Sequence, residues 1–110
     1  MDITKWETEF KKGFSKPFVL LSLSNTPNYP YGITKAVNKQ TGGKFTIAGS
    51  NIYPLLSKME KMKLIVGKQD KESDKKIYQL TEDGKEFLVS LKKVMTDFAE
   101  IIQIMLAIND

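Results

Sequence analysis

Ser50, Asn51 and Tyr53 lie within four consecutive positions, Pro54 follows at once, Lys58 comes about one helical turn later, and Lys61 about one turn after Lys58. Hydroxyl and carboxamide groups hydrogen-bond phosphate oxygens or base edges; asparagine matches the donor and acceptor pair of adenine, and a tyrosine ring offers a flat face to a thymine methyl or a sugar. Lys58 and Lys61 would flank such a contact as point charges. Tyr31, Lys35 and Thr46 stand upstream, and Lys71, Lys75 and Lys76 downstream, with the same hydroxyl and ammonium chemistry. These groups suit a polyanion and do not make a catalytic set. The chain has no His, no Cys and no Arg, since its 17 basic residues are all lysine. That removes Cys/His metal sites, nucleophiles activated by histidine, disulfides and arginine fingers. No cofactor, no metal and no enzymatic activity are expected.

Charge is distributed in blocks. Residues 1–10 carry three acids and one lysine, residues 11–68 carry ten lysines against Glu60 alone, a net of +9, and residues 69–110 carry nine acids and six lysines. A basic block inside a chain of net charge +4 reads as the footprint of a polyanion, nucleic acid being the usual one. The alternative is a merely solvated, lysine-rich surface. With 110 residues, 41% hydrophobic and 27% charged, the chain has the size and composition of one folded domain. Its apolar stretches, Pro17 to Leu23 and Ile101 to Ile108, are too short to cross a membrane, and Met1 to Glu9 is too acidic for a targeting peptide. A cytoplasmic, nucleoid-associated protein without membrane contact is expected.

The elements that must position these groups follow from apolar spacing. Ile3, Trp6, Phe10 and Phe14 form one face of an N-terminal helix ending near Gly13. Ser15 and Pro17 open a buried helix through Ser24, closed by Asn25 to Asn28. The next helix runs from Tyr31 or Gly32 to Gln40, with Ile33, Ala36 and Val37 inward and Gly42-Gly43 as its stop. Between Ala48 and Met62, residues Ile52, Leu55, Leu56, Met59 and Met62 recur with helical spacing. Pro54 belongs to the first turn of that helix, so its start falls at Gly49 to Asn51, where a helix end attracts phosphate. Leu64 to Val66 and Ile77 to Leu80 read as two strands of a hairpin around a polar segment from Gly67 to Lys75. Thr81 caps a last helix that carries Glu82 and Asp83 in its first turn. In it Phe87, Leu91, Val94, Phe98, Ile101, Met105 and Ile108 alternate four and three apart, beside a second column of Leu88, Met95 and Ile102. From Thr81 to Ile108 the helix would be about 42 Å long, more than the rest of so small a core can cover. Trp6, Phe10, Leu91, Val94, Met95, Phe98, Ile101, Ile102 and Met105 are therefore the expected contacts with a second copy.

The fold class this implies is mainly α with a small β-hairpin (α+β): a winged helix-turn-helix over 15–80, preceded by an N-terminal helix over 1–14 and followed by a dimerisation helix over 81–110. In such folds the third helix enters the major groove by its N-terminal end, while the hairpin and second helix meet the backbone. Within residues 17–100 the chain resembles the PadR-like transcriptional regulators, in particular short members with one C-terminal helix. The segments that carry the likeness are Asn28-Tyr29-Pro30-Tyr31-Gly32-Ile33, Gly49-Ser50-Asn51-Ile52-Tyr53-Pro54-Leu55-Leu56, Lys58-Met59-Glu60 with Leu64-Ile65, and Lys76-Ile77-Tyr78-Gln79-Leu80-Thr81-Glu82-Asp83-Gly84. The resemblance implies a homodimer that represses transcription from a pseudo-palindromic operator in double-stranded DNA and is often released by a small aromatic effector. On the matching positions it makes Tyr31 a phosphate contact, Ser50, Asn51, Tyr53 and Pro54 the groove-facing start of the recognition helix, and Lys75 and Lys76 the wing contacts. The competing structural readings are an N-cap for Ser50, packing against the preceding helix for Tyr53, and a core position for Tyr31.

Two departures from the family pattern stand out. The wing tip, Lys71-Glu72-Ser73-Asp74-Lys75, lacks the glycine and arginine of many relatives, and its acids would meet phosphates on deep minor-groove insertion. Multidrug-sensing relatives carry a tryptophan on the C-terminal helix where this chain has Phe98, whereas Trp6 lies near the chain start. Other functional readings are a partition protein that spreads along DNA and recruits a protein partner, an interaction adaptor that no longer reads DNA, and a carrier with an apolar cavity around Trp6 and Phe98.

Overall fold

Residues 1–108 are described by the structure, a computed structural model; the end of the last helix expected at Asp110 lies outside them. In chain order the elements are α1 (Ile3–Lys12), α2 (Ser15–Ser22), α3 (Pro30–Gln40), α4 (Gly49–Lys61), β1 (Ile65–Gln69), β2 (Lys76–Leu80) and α5 (Glu82–Ile108). The expected five helices and single hairpin are all present. The core is built where α2, α3 and α4 meet the hairpin and the start of α5. Val19, Ile33, Val37, Ile52, Leu56 and Met59 are fully buried there, and Phe45 closes one side with its ring edge-on to Phe18, centroids 4.7 Å apart.

Local chemistry sets the element ends. Asp2 caps α1 by accepting the Thr4 N–H at 2.9 Å. Pro30 opens α3 at a position where a helix needs no N–H. At its other end Gly42 and Gly43 take positive φ, their N–H groups bonding the Lys39 and Asn38 carbonyls, a paired closure that glycine permits without strain. The same closure ends α4 at Lys63, whose φ of 62° is uncommon for a residue with a side chain. Thr81 caps α5 through its hydroxyl, which accepts the Gly84 N–H at 2.9 Å and donates to the Lys63 carbonyl at 2.7 Å. Gly84 itself is buried against the Leu64 carbonyl, where an added Cβ would stand 1.9 Å from the oxygen.

The hairpin is antiparallel, with Ile65 opposite Leu80 and Gly67 opposite Tyr78. Asn28 adds a short third rung by exchanging backbone hydrogen bonds with Tyr78 at 2.8 and 2.9 Å. β1 begins one residue later than the Leu64 start read from the apolar run and continues through Gly67 to Gln69, because its register is governed by pairing with β2 and by the Tyr78 ring lying over Gly67. Pro54 is the sixth residue of α4 rather than part of its first turn. The carbonyl deprived of an amide partner is that of Ser50, in an exposed turn open to water, which lowers the cost of the proline. Met62 is not a core residue: it follows the last turn of α4 and is 54% exposed, bordering a shallow apolar groove with Pro17, Phe87 and Leu91.

α5 has 27 residues, about 40 Å of helix. Only Gly84 and Leu88 are buried on it, and α1 has no buried residue at all. No described helix is long and apolar enough to cross a membrane.

Candidate nucleic-acid interface

The outer face of α4 collects the predicted groups. Ile52, Leu56 and Met59 turn into the core, which leaves Ser50, Asn51, Tyr53, Pro54, Lys58 and Lys61 exposed on the opposite side. The N-cap of α4 is Ala48, with no side-chain hydrogen bond, so Ser50 does not cap. Among the described residues no hydrogen bond holds the side chains of Ser50 or Asn51, which leaves both available to a ligand. Ser57 stands on this strip as well, exposed and one turn beyond Tyr53 and Pro54; its spacings of four and three from those two residues would have identified it.

Tyr31 and Tyr53 are 69% and 63% exposed, which rules out a core role for the first and close packing against α3 for the second. Together with Tyr29, Tyr78, Lys75 and Lys76 they border a cleft of about 440 Å³ between the start of α3, α4 and the hairpin. All four tyrosines of the chain face this one space. Lys35 lies over one of these rings, its Nζ 4.8 Å from the centre of Tyr31, a cation–π contact. The cleft thus has aromatic walls and ammonium groups at its edge, suited to a sugar-phosphate backbone. Burial raises the Tyr78 phenol above its ordinary value, and that hydroxyl stays protonated.

The remaining predicted groups differ in freedom. Thr46 is exposed in the turn before α4, but its Oγ1 accepts the Asn38 Nδ2 at 3.0 Å, so it braces the turn between α3 and α4. Lys71, Lys75 and Lys76 are exposed on the hairpin. Its acids are not equivalent. The Asp70 carboxylate accepts the Tyr29 hydroxyl, the Glu72 N–H and the Ser73 hydroxyl, and these bonds, Tyr29's first, hold it below the usual carboxylate range. The basic block of the sequence also divides. Lys11 and Lys12 pair with Glu7 and Glu9 on α1 at 2.9 and 3.3 Å, whereas Lys35, Lys58 and Lys61 are in no ion pair among the described residues.

A second surface runs along α5. Val94, Phe98, Ile101, Ile102 and Met105 are exposed, while Leu91 and Met95 are half-buried against the body. Trp6 and Phe10 are exposed on α1, ring centroids 6.3 Å apart. Between the α1–α2 junction and α5 lies an apolar groove of about 340 Å³, bordered by Phe14, Pro17, Phe18, Val94, Phe98 and Ile102.

Comparison with known proteins agrees with this arrangement. The model of the transcriptional regulator PadR-like family matches residues 19–90. A transcriptional regulator from Clostridium thermocellum superposes with a TM-score of 0.79 at 19% identity, covering 86% of this chain and 92% of that one. A PadR-like transcriptional regulator from Bacillus cereus gives a TM-score of 0.74 at 29% identity, covering 89% and 96%. Bacillus subtilis PadR, solved in complex with operator DNA, gives a TM-score of 0.60 at 29% identity over 69% of this chain and 45% of that one. No curated protein matches the sequence.

Proposed function

Because the chain belongs to the PadR-like family of transcriptional regulators, we propose that it is a homodimeric repressor that reads a pseudo-palindromic operator through α4 and the hairpin wing. The family consists of regulators, not enzymes. The observation that carries the reading is the outer face of α4, where Ser50, Asn51, Tyr53, Lys58 and Lys61 are exposed beside a tyrosine-walled, lysine-rimmed cleft. The likeness to a PadR solved in complex with operator DNA supports binding to DNA. Asn51 reads a base edge, Ser50 and Tyr31 hold phosphates, and Lys58, Lys61, Lys71, Lys75 and Lys76 supply sequence-independent attraction. Residues 15–80 act as the DNA-binding unit, 81–110 as the dimer stem, and 1–14 as an accessory dimer contact through Trp6 and Phe10. The exposed apolar stripe of α5 supports the dimer, since a monomer would leave it in water. A cytoplasmic, nucleoid-associated location follows from the role.

Fluorescence anisotropy with the DNA upstream of the protein's own gene and a scrambled duplex, across several salt concentrations, tests this. A preference of about 10³-fold or more for the upstream duplex is expected. Steep salt dependence with no preference replaces the repressor by a protein that coats DNA, as in partition, and absence of binding to either duplex at low salt overturns DNA recognition altogether.

A further inference from the structure

A hairpin wing can contribute to binding only if its lysines are held where the backbone passes, and a six-residue turn of polar side chains has no apolar packing to hold it. Residues 70–75, Asp-Lys-Glu-Ser-Asp-Lys, form such a turn. Three acids interleave with two lysines there, which for a surface meant to meet phosphate is a burden unless the acids have another task.

Asp70 has one. Its backbone N–H bonds the Lys75 carbonyl at 3.0 Å, closing the turn at its neck. Its carboxylate gathers the interior of the turn, accepting the Glu72 N–H and the Ser73 hydroxyl, each at 3.2 Å. Ser73 passes the arrangement on, its Oγ accepting the Lys75 N–H at 3.3 Å and its carbonyl accepting the Gln69 side-chain amide at 3.2 Å. Asp70 Oδ2 also accepts the hydroxyl of Tyr29, 41 positions away in the chain. Tyr29 is the N-cap residue of α3, immediately before Pro30 and Tyr31. Among the described residues no other hydrogen bond or ion pair joins this turn to the helices. Midway along β2 the Asn28–Tyr78 rung makes the second attachment to the same α2–α3 connection. The wing is thus tied at mid-strand and at the neck of its turn to two consecutive residues, Asn28 and Tyr29, that lead into α3. Asp74, on the same turn, lines the cleft and among the described residues accepts no comparable bond.

Resting on the DNA-binding reading above, we infer that Tyr29 and Asp70 form a positioning pair that fixes the wing against the N-terminus of α3, so that Lys71, Lys75 and Lys76 meet the backbone in register with Tyr31 and α4. The negative charge of Asp70 is spent inside the turn, and that of Asp74 is not.

Charge and position predict opposite signs for the same substitution, which makes the pair testable. Asp70→Ala and Asp74→Ala each remove one negative charge per protomer, and if charge alone matters both tighten binding to duplex DNA. Positioning instead predicts that Asp70→Ala weakens binding about two- to tenfold, the scale of one lost hydrogen bond, while Asp74→Ala tightens it. Tyr29→Phe, which leaves charge and ring intact, weakens binding to a similar degree, and the double variant Tyr29→Phe/Asp70→Ala is no weaker than Asp70→Ala alone. In the free full-length protein, amide hydrogen exchange over residues 70–75 speeds up in Tyr29→Phe and stays unchanged in Asp74→Ala. Tightening by Asp70→Ala equal to that by Asp74→Ala overturns the inference, as does faster wing exchange in Tyr29→Phe with no loss of affinity. Should the wild-type protein bind no duplex, the DNA-binding reading falls, while wing exchange in Tyr29→Phe still decides whether the pair holds the turn.

Discussion

Lys58→Ala should make duplex binding less sensitive to salt without changing which duplex is preferred. Lys58 lies on the exposed face of α4, one turn past Pro54, in no ion pair among the described residues. In a homodimer the substitution removes two cations. Each phosphate neutralised on B-DNA contributes about −0.9 to the slope of log K against log salt, so the slope becomes shallower by about 1.8. Between about 50 and 200 mM the logarithm of salt changes by about 0.6, and the deficit of the variant against wild type shrinks about tenfold across that range. Anisotropy titrations at several salt concentrations read the slope directly. Lys92→Ala, an equal change of charge at an exposed position on α5, is the control and should leave the slope as it is. An unchanged slope for Lys58→Ala refutes the phosphate contact, and equal changes for both variants show that only net charge matters. A change of about 0.9 means that one protomer alone uses this lysine, which contradicts a symmetric dimer.

Asn51→Ala should cost about 1–3 kcal/mol on the preferred duplex and little on a scrambled one, with preference lost at one base position per half-site; equal losses on both contradict base reading. Phe98→Glu sets a charge in the middle of the apolar stripe of α5, at a side chain 53% exposed in the single chain, and should yield folded monomers by sedimentation and circular dichroism. A surviving dimer places the interface elsewhere. Gly84→Ala should lower unfolding stability by about 1–3 kcal/mol or more in urea, because its Cβ would stand 1.9 Å from the Leu64 carbonyl oxygen and backbone must move on one side. Gly49→Ala, with nothing within 4 Å of the added methyl, should be neutral or stabilising, and equal behaviour of the two glycines would show that α5 is not seated on Leu64.

Elements ruled by local chemistry were readable from the chain. Gly42-Gly43, Thr81 and the three- and four-residue spacing of Ile52, Leu56 and Met59 each declare an end or a face through φ, a cap or a periodicity, and the structure follows them closely, whereas α3 opens at Pro30, just before the Tyr31 or Gly32 start read from the chain. What depends on partners distant in sequence was not readable. β1 extends through Gly67 because Tyr78 covers it, a fact about the opposite strand; Leu64 to Val66 alone looks complete. Met62 continues the apolar spacing of α4 yet falls outside the core because the helix has already ended. In the candidate site, Ser50, Asn51, Lys58 and Lys61 followed from helical phase, and the same phase includes Ser57, which composition and charge do not single out. The task of Asp70 was hidden for a different reason. Its partner is 41 positions away, and in the sequence it is only one more acid in a polar loop.

The coupling between the stem and the reading head also arises from a distant contact. Only Thr81 separates β2 from α5, so no flexible linker can absorb a change in stem direction. Thr81 and Gly84 both bind the short segment that ends α4 and begins the wing: the Thr81 hydroxyl donates to the Lys63 carbonyl, its N–H to the Leu64 carbonyl, and Gly84 packs on that same carbonyl. The axis of α5 is thereby fixed relative to α4 through hydrogen-bonded backbone. If two stems pair along their apolar stripes, the distance and angle between the two copies of α4 are set by the dimer, and half-sites must match them at about 34 Å or a multiple. A change that tilts one stem against the other would then weaken binding without touching a DNA contact. The groove between the α1–α2 junction and α5, bordered by Phe18, Val94 and Phe98, lies beside the middle of that helix.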